Sequence, residues 1–483
     1  MAESKISGGQ IIKNSIWKFG ETTGVQIIQV LLSIIIARLL NPQDFGVMAM
    51  VLVTINFVNI FINSGISSFL VYSDKITKND FFTCVVFNVF LSGILCLFLY
   101  FSAEKISTYF AMPSLVQYIY IMLFVIPFNS ISSIYTSYAI KKSLFKSLFY
   151  RNLIATPASG VVGILMAYLG YGVLALVVQQ LAYSFLLMVV VTTTIKIEGE
   201  GFYHFSFKRL KPILSFGGFT LLSTLIAFIS DNFADAIIGK KINSEQLGYY
   251  NKGNRFPLSI SGSVNSIICG VMFPAFVTYR DNMSELKDKC RKTYTLLSYA
   301  MFPILCGFAV CAKPFVLFTL TEKWLGCVPI IQLVCIYFCT IPYLQTISQL
   351  YLAVGKVKIR VWGEVIKMVL TVSLLFAFIK YGINVVASLK VLVALLMILF
   401  TLVLNKILFS FPINEFFKDI MKPAILTLIM CVLIYPLVFL PISPLIIVLL
   451  QVIIGGGIYF LLLKIFNVKE FFYIKDIILQ RIK

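Results

Sequence analysis

Acidic side chains, histidine and cysteine motifs are what this chain is short of. Its 483 residues hold 20 Asp and Glu against 40 Lys and Arg, with one His and ten Cys. The cysteines are scattered singly, mostly inside apolar stretches, with no CxxC pair and no metal-ligand spacing, so they read as small core residues. Cys311 and Cys327, flanking one loop, are the pair that could meet in a disulfide. No G-x4-GK[ST] loop is present, which excludes a Walker-type nucleotide motor, and Gly455-Gly456-Gly457 follows no strand and reads as a helix-packing site. The polar connections are short, the longest being 195–212 and 278–292, too small to fold as domains. An enzyme that builds its active site in a large loop is thereby disfavoured.

What is abundant is hydrocarbon. With 59% hydrophobic residues, 12% charged ones and a mean hydropathy of +0.95, the chain cannot cover its apolar surface with polar groups and must reside in a bilayer. About fourteen apolar stretches are long enough to span a core about 30 Å thick. They fall at 16–40, 45–71, 80–101, 114–140, 151–170, 172–194, 213–239, 246–277, 293–318, 327–352, 359–380, 384–409, 421–441 and 443–463. The first is too long for a cleaved signal segment and is expected to remain as a helix.

The net charge of +20 raises the question of nucleic acid, and the location of the positives answers it. With a cytoplasmic N-terminus, roughly 29 Lys and Arg fall on the inner side and roughly 9 at the outer helix ends, the bias of the positive-inside rule. The charge then faces anionic inner-leaflet lipid, and no nucleic-acid partner is needed. Both termini are expected in the cytoplasm and the protein in a bacterial cytoplasmic membrane.

One polar corner is written twice. Asn41-Pro42-Gln43-Asp44-Phe45-Gly46 aligns with Asn243-Ser244-Glu245-Gln246-Leu247-Gly248. Phe19-Gly20 upstream matches Phe216-Gly217, and Asn63-Ser64 downstream matches Asn265-Ser266, with about five extra residues near 231–235 in the second copy. Six spans separate the copies, so both cross in the same direction, which is a parallel repeat about an axis along the membrane normal. The expected fold is an all-α polytopic membrane protein. Its lobes would be 1–194 and 213–410, six helices each, joined by an interfacial linker at 195–212. Two further helices and an amphipathic cytoplasmic tail would occupy 411–483.

The stretches FGETTGVQIIQVLLSIIIARLLNPQDFGVMAM at 19–50, DAIIGKKINSEQLGYYNKGNRFP at 235–257 and VMFPAFVTYRDN at 271–282 carry a family likeness, as do KWLGCVPIIQLVCIYF at 323–338 and YLAVGKVKIR at 351–360. Over nearly its whole length the chain resembles the Wzx-type polysaccharide flippases of the multidrug/oligosaccharidyl-lipid/polysaccharide exporter superfamily. The resemblance implies twelve helices in two lobes around a central cavity plus two more, alternating access, and a polyprenyl-diphosphate-linked glycan as cargo.

Polar residues inside the spans mark where such a cargo would be held. Counted from Gln246, Arg255 lies about 14 Å into its helix, near mid-depth, where a lipid-facing guanidinium would cost from about 3 to more than 10 kcal/mol. Lys252 lies one turn above it. Asn251, Asn254 and Asn265 add amides to the same helix, and Asn56, Asn59 and Asn63 form a stripe on the helix after the first corner. Amides can exchange hydrogen bonds with sugar hydroxyls, and Arg255, Lys252 and, at the inner end, Lys18 can supply cations to a diphosphate. Against this, Lys252 and Lys18 could snorkel to the interfaces. Glu21, Asp231 and Asp235 have two readings, salt bridges to these cations or sites coupling transport to H+ or Na+. Glu364 and Lys367 at i, i+3 read as a self-neutralising pair.

The expected function is a monomeric flippase that performs no covalent chemistry, needs no cofactor, and meets membrane lipids, its glycan-lipid cargo and a glycan polymerase. A cation-coupled drug antiporter of the same superfamily is the first alternative, disfavoured by Arg255 and Lys252. A membrane glycosyltransferase or glycan polymerase is the second, disfavoured by the short loops and single histidine.

Overall fold

A computed structural model describes residues 24–468 except 64–65, 68–69, 71–76, 198–204, 206 and 268–271, and leaves out the side chains of 207–220, 223, 263–267 and 274. Among the described residues there are helices and no strands. In chain order they are α1 Val25–Leu39, α2 Pro42–Asn63, α3 Lys78–Phe110, α4 Leu115–Met122, α5 Val125–Lys141, α6 Phe145–Tyr168, α7 Val173–Thr194 and α8 Phe207–Lys241. They continue as α9 Ser244–Ile267, α10 Phe273–Thr278, α11 Met283–Thr319, α12 Val328–Cys339, α13 Ile341–Ala353, α14 Val357–Phe378, α15 Ile383–Phe409, α16 Ile413–Ile434 and α17 Pro444–Ile465. Eleven helical stretches are long and apolar enough to cross a membrane. Of the expected spans, 16–40 is described only from residue 24, as Val25–Leu39, and Phe207–Lys241 and Ser244–Ile267 are long but not among the eleven. In α9 the reason is visible, since Asn251, Lys252, Asn254 and Arg255 dilute its hydrocarbon.

Helix ends follow local chemistry. Thr77 caps α3 through a reciprocal box in which its hydroxyl accepts from the Asp80 N–H at 3.2 Å and the Asp80 carboxylate accepts from the Thr77 N–H at 3.0 Å. The expected span at 327–352 is two helices, because Pro342 has no N–H to continue the ladder across Thr340. The expected linker at 195–212 is already helical from Phe207.

The chain forms two compact units, 1–251 and 252–483. In the first, α6 packs on α7 and α1, α5 on α7 and α3, and α8 on α2 and α3. Helix α8, expected to open the second lobe, thus groups with the first unit, and the corner explains part of this. A Cβ added to Gly46 would fall on the carbonyl of Ser244, and one added to Gly248 on the carbonyl of Pro42. Pro42 aligns with Ser244 and Gly46 with Gly248, so the two copies grip one another reciprocally, as two parts related by a twofold axis do. Only glycine permits backbones this close.

The two corners share one capping job. Asn243 accepts the Gln246 N–H on its side chain at 2.8 Å. In the first copy the Asp44 carboxylate instead reaches back to the Asn41 N–H at 3.0 Å. Each copy has kept a different half of the capping box.

In the second unit, α11 is the organising helix, packed on α12, α16 and α17. A polar staple fixes its first turns to α16. Arg291 donates twice to Asp419, at 2.8 and 2.9 Å, and meets Glu415 at 3.0 Å, which Lys287 also meets at 2.8 Å. The Tyr294 hydroxyl donates to Asp419 at 3.0 Å. A bidentate guanidinium–carboxylate pair with two further partners spreads the charge over a network, and this holds α16 to α11.

Candidate functional site

Helix α9 carries the charged part of the candidate site, and its contacts separate the two cations. Gly253 lies against the segment Glu322–Cys327, where an added Cβ would be 2.9 Å from Ile330 Cγ2 and 3.1 Å from the Cys327 carbonyl. This close approach turns Lys252 inward. It is 2% exposed, with its ammonium 5.6 Å from the ring centroid of the fully buried Trp324 and 5.9 Å from that of Phe256. Rings at that distance stabilise a desolvated cation through their negative faces. Arg255 behaves differently. It is exposed and makes no hydrogen bond or ion pair among the described residues.

Around Arg255 two amides each keep one unpaired atom among the described residues. Asn251 Nδ2 and Asn254 Oδ1 are buried without a hydrogen-bond partner. At 100° per residue, 251, 254, 255 and 258 lie on one face of α9 while Lys252 points about 110° from the middle of that face. Pro257, inside the helix, cannot donate to the Gly253 carbonyl, which leaves a further acceptor near the same turn. The arrangement is one unpaired guanidinium flanked by amides, able to bind an anion that brings hydroxyls with it.

In the first unit the asparagine stripe of α2 is split. Asn56 and Asn63 are exposed, whereas Asn59 is buried and accepts from Asn129 of α5 at 3.4 Å. Asp231 is exposed and Asp235 half-buried on α8. Lys18 and Glu21 lie outside the described residues, as does the side chain of Asn265 and the lone His204. The Glu364–Lys367 pair is present at 3.7 Å. Cys311 and Cys327 are both free thiols. Gly455 packs near Ile434 of α16, while Gly456 and Gly457 face open space.

Sequence reasoning missed a large apolar cleft in the second unit. It measures about 930 Å³ and runs between α9, α11, α16 and α17, lined by Ile260, Pro303, Ile304, Met430, Gly456 and Phe460 among others. Ile260 stands five residues after Arg255 on α9, so anion site and cleft share one helix. The missed signal is the pair of prolines in α11, Pro303 and Pro314, with the small residues Gly455 and Gly456 opposite. Also missed was a buried cation in the first unit. Arg151 of α6 is 8% exposed and donates to the Thr136 hydroxyl at 2.6 Å and to Asn152 at 3.5 Å.

Comparison with known proteins agrees with this architecture. Residues 35–329 match the family described as polysaccharide biosynthesis protein. The chain is 25% identical over 469 residues to an uncharacterized membrane protein in the cps region of Klebsiella pneumoniae, covering 93% of this chain and 94% of that protein. It is 22% identical over 314 residues to the lipopolysaccharide biosynthesis protein WzxC of Escherichia coli, covering 62% and 61%. In fold it is similar to the lipid II flippase MurJ in an inward closed conformation, with a TM-score of 0.75 at 21% identity over 94% of this chain and 98% of that one. The chain belongs to the polysaccharide biosynthesis protein family, and eleven of its described helical stretches are long and apolar enough to cross a membrane.

Proposed function

We propose that the protein is a flippase that carries a polyprenyl-diphosphate-linked oligosaccharide from the inner to the outer leaflet of the cytoplasmic membrane by alternating access, with both termini in the cytoplasm. The observation that carries this reading is Arg255, an accessible cation in α9 without an ion pair among the described residues, flanked by the unpaired Asn251 Nδ2 and Asn254 Oδ1. A diphosphate wants such a cation, and sugar hydroxyls want such amides. The adjoining apolar cleft suits the remaining part of the cargo, since each CH₂ kept out of water is worth about 0.8 kcal/mol. The names of the similar proteins, a lipid II flippase and a lipopolysaccharide biosynthesis protein, support the same class of cargo.

In this orientation the Gly46 and Gly248 corners are on the outer side. Their contact acts as an outer gate that must part before the cargo can leave. Energy comes from an ion gradient, H+ or Na+, read by Asp231, Asp235 or Glu21, or from the membrane potential at about 2.3 kcal/mol per charge per 100 mV. The protein works as a monomer and hands its cargo to a glycan polymerase.

The deciding experiment is Arg255→Gln, read as diphosphate-lipid binding, surface glycan and folded protein level. Loss of a charge-assisted contact of about 1.5–3 kcal/mol weakens binding roughly tenfold to more than a hundredfold at normal protein level. Arg255→Lys should keep part of the affinity. Unchanged binding and glycan display in Arg255→Gln would remove the diphosphate from this site.

A further inference from the structure

A polar cavity of about 620 Å³ opens at one end of the 252–483 unit. Its walls come from places distant in sequence: the α10–α11 turn, the start of α11, the α13–α14 turn and the end of α15. Arg255 does not line it. In the orientation proposed above, all of these elements lie on the inner side of the membrane. Local chemistry brings a cation to each of two walls. Gly355, at φ +73°, ends α13, and the Lys356 N–H closes the turn on the Tyr351 carbonyl at 2.8 Å. This is the Schellman arrangement, whose left-handed position suits glycine. It leaves the Lys356 ammonium 4.6 Å from the ring centroid of Phe409, the last residue of α15. Phe409 is buried and stacked with Tyr351, so the ring under the ammonium is fixed. On the facing wall, the turn closed by the Asn282 N–H on the Tyr279 carbonyl at 3.0 Å carries Arg280.

The protein does little to neutralise these two cations. Lys356 is half-buried and makes no ion pair among the described residues. A ring face holds one side of an ammonium and leaves its charge intact for an anion on the other. Arg280 approaches Asp281 only to 3.7 Å, with 57% and 91% of the two side chains exposed, and a pairing of that kind is worth little in water. Next to the cations the lining turns apolar, with Val277, Leu352, Val354 and Leu408. The cavity is therefore cationic on one part of its wall and hydrocarbon on the rest.

We infer that this cavity holds the headgroup of an anionic phospholipid of the inner leaflet, its phosphate on Lys356 and Arg280 and the start of its chains against Leu352, Val354 and Leu408. Basic pockets between helices on the cytoplasmic side suit such headgroups. A free phosphate ester shares the charged part of this chemistry but has nothing to place against the apolar wall. A zwitterionic phospholipid has the chains but brings a cation of its own, which the two basic residues repel. Asp281 stands out in solvent, where water and salt screen it, so the half-buried Lys356 sets the sign of the site. The inference goes beyond the flippase reading and takes from it only the orientation of the chain.

The test uses full-length protein in neutral detergent, titrated with short-chain phosphatidylglycerol, with phosphatidylethanolamine of the same chains and with glycerol phosphate. Phosphatidylglycerol should bind about tenfold tighter than either of the others, and less tightly as salt is raised. Lys356→Gln should lower its affinity about tenfold, the more exposed Arg280→Gln about threefold, and Lys356→Arg should keep most of it. Binding of phosphatidylethanolamine should not change in any of these, and Arg255→Gln should leave phosphatidylglycerol binding intact. Equal affinity for the two lipids, or unchanged phosphatidylglycerol affinity in both glutamine variants, overturns the site. Glycerol phosphate binding as tightly as the lipid overturns the lipid assignment, and loss of binding in Arg255→Gln moves the lipid to α9. Orientation is read separately from Asp281→Cys in a background lacking the native cysteines, which an impermeant thiol reagent should label only after the membrane is opened. Labelling from outside overturns the inner leaflet and the proposed orientation together, whereas a failure of lipid binding overturns the site alone.

Discussion

Aligned through their corners, α2 and α9 share several buried places. Gly46 and Gly248, Met48 and Tyr250, and Met50 and Lys252 are all buried, and Asn56 and Leu258 are both exposed. At another aligned pair they part, Val53 being half-buried and Arg255 exposed. Two helices aligned through one corner therefore differ in charge, at one position that is buried and one that is exposed. The difference teaches that the inward charge and the outward charge have different jobs. Lys252 fills the place of a methionine and is accommodated by Trp324 and Phe256. Arg255 fills the place of a valine and is left for something else to meet.

The strongest way to break the comparison is at its shared point of contact. Gly46→Val and Gly248→Val each push a side chain into a backbone carbonyl that cannot rotate away. Overpacking of this kind costs about 1–3 kcal/mol or more. The two losses in thermal stability should be similar, and the double variant should lose clearly less than their sum, because one parted contact relieves both. A large loss from one glycine with none from the other would show that the grip is not reciprocal.

A finer test sets the two charges against each other. Lys252→Met copies the residue that α2 uses at the aligned place, so the helix should pack as well as before and folded yield should not fall. Replacing a buried charge by a well-packed apolar side chain is often neutral or stabilising. Diphosphate-lipid affinity should drop by less than tenfold, well short of the loss in Arg255→Gln. A loss as large as that of Arg255→Gln would place Lys252 among the binding residues after all.

The smallest expected effect separates the caps. Asn243→Ala removes the acceptor of the Gln246 N–H and should cost about 1 kcal/mol of stability. Asn41→Ala leaves the bond from its backbone N–H to Asp44 in place and should cost only a few tenths, whereas Asp44→Ala should resemble Asn243→Ala. Thermal shifts of the three variants, ranked, check the division of labour. Equal shifts for Asn41→Ala and Asn243→Ala would mean that the two corners are capped alike.

Much of the site was legible in order along the chain and illegible around the helix axis. Arg255, Asn251 and Asn254 stood out as polar residues in an apolar context, and the structure leaves all three with unspent groups. Lys252 stood out for the same reason, yet it is turned into the unit, because Gly253 lets α9 lie against Glu322–Cys327 some seventy residues on. Asn59 looked like one of three equivalent asparagines and is instead held by Asn129 from α5. The Arg291–Asp419 staple joins residues 128 positions apart and has no local pattern to announce it.

By itself, the sequence determined the solvent, the helical class, the polar corners and their repetition. These depend on properties each residue carries alone or shares with near neighbours: transfer energy, the need to satisfy every backbone group in lipid, and capping chemistry within one turn. Tertiary structure alone decided which corner glycine meets which carbonyl, which of two neighbouring cations is sheltered by aromatic rings, and where the apolar cleft and the polar cavity open. Those outcomes depend on how helices are rotated against one another. That rotation is set by the packing of side chains distant in sequence, which no period of 3.6 residues encodes.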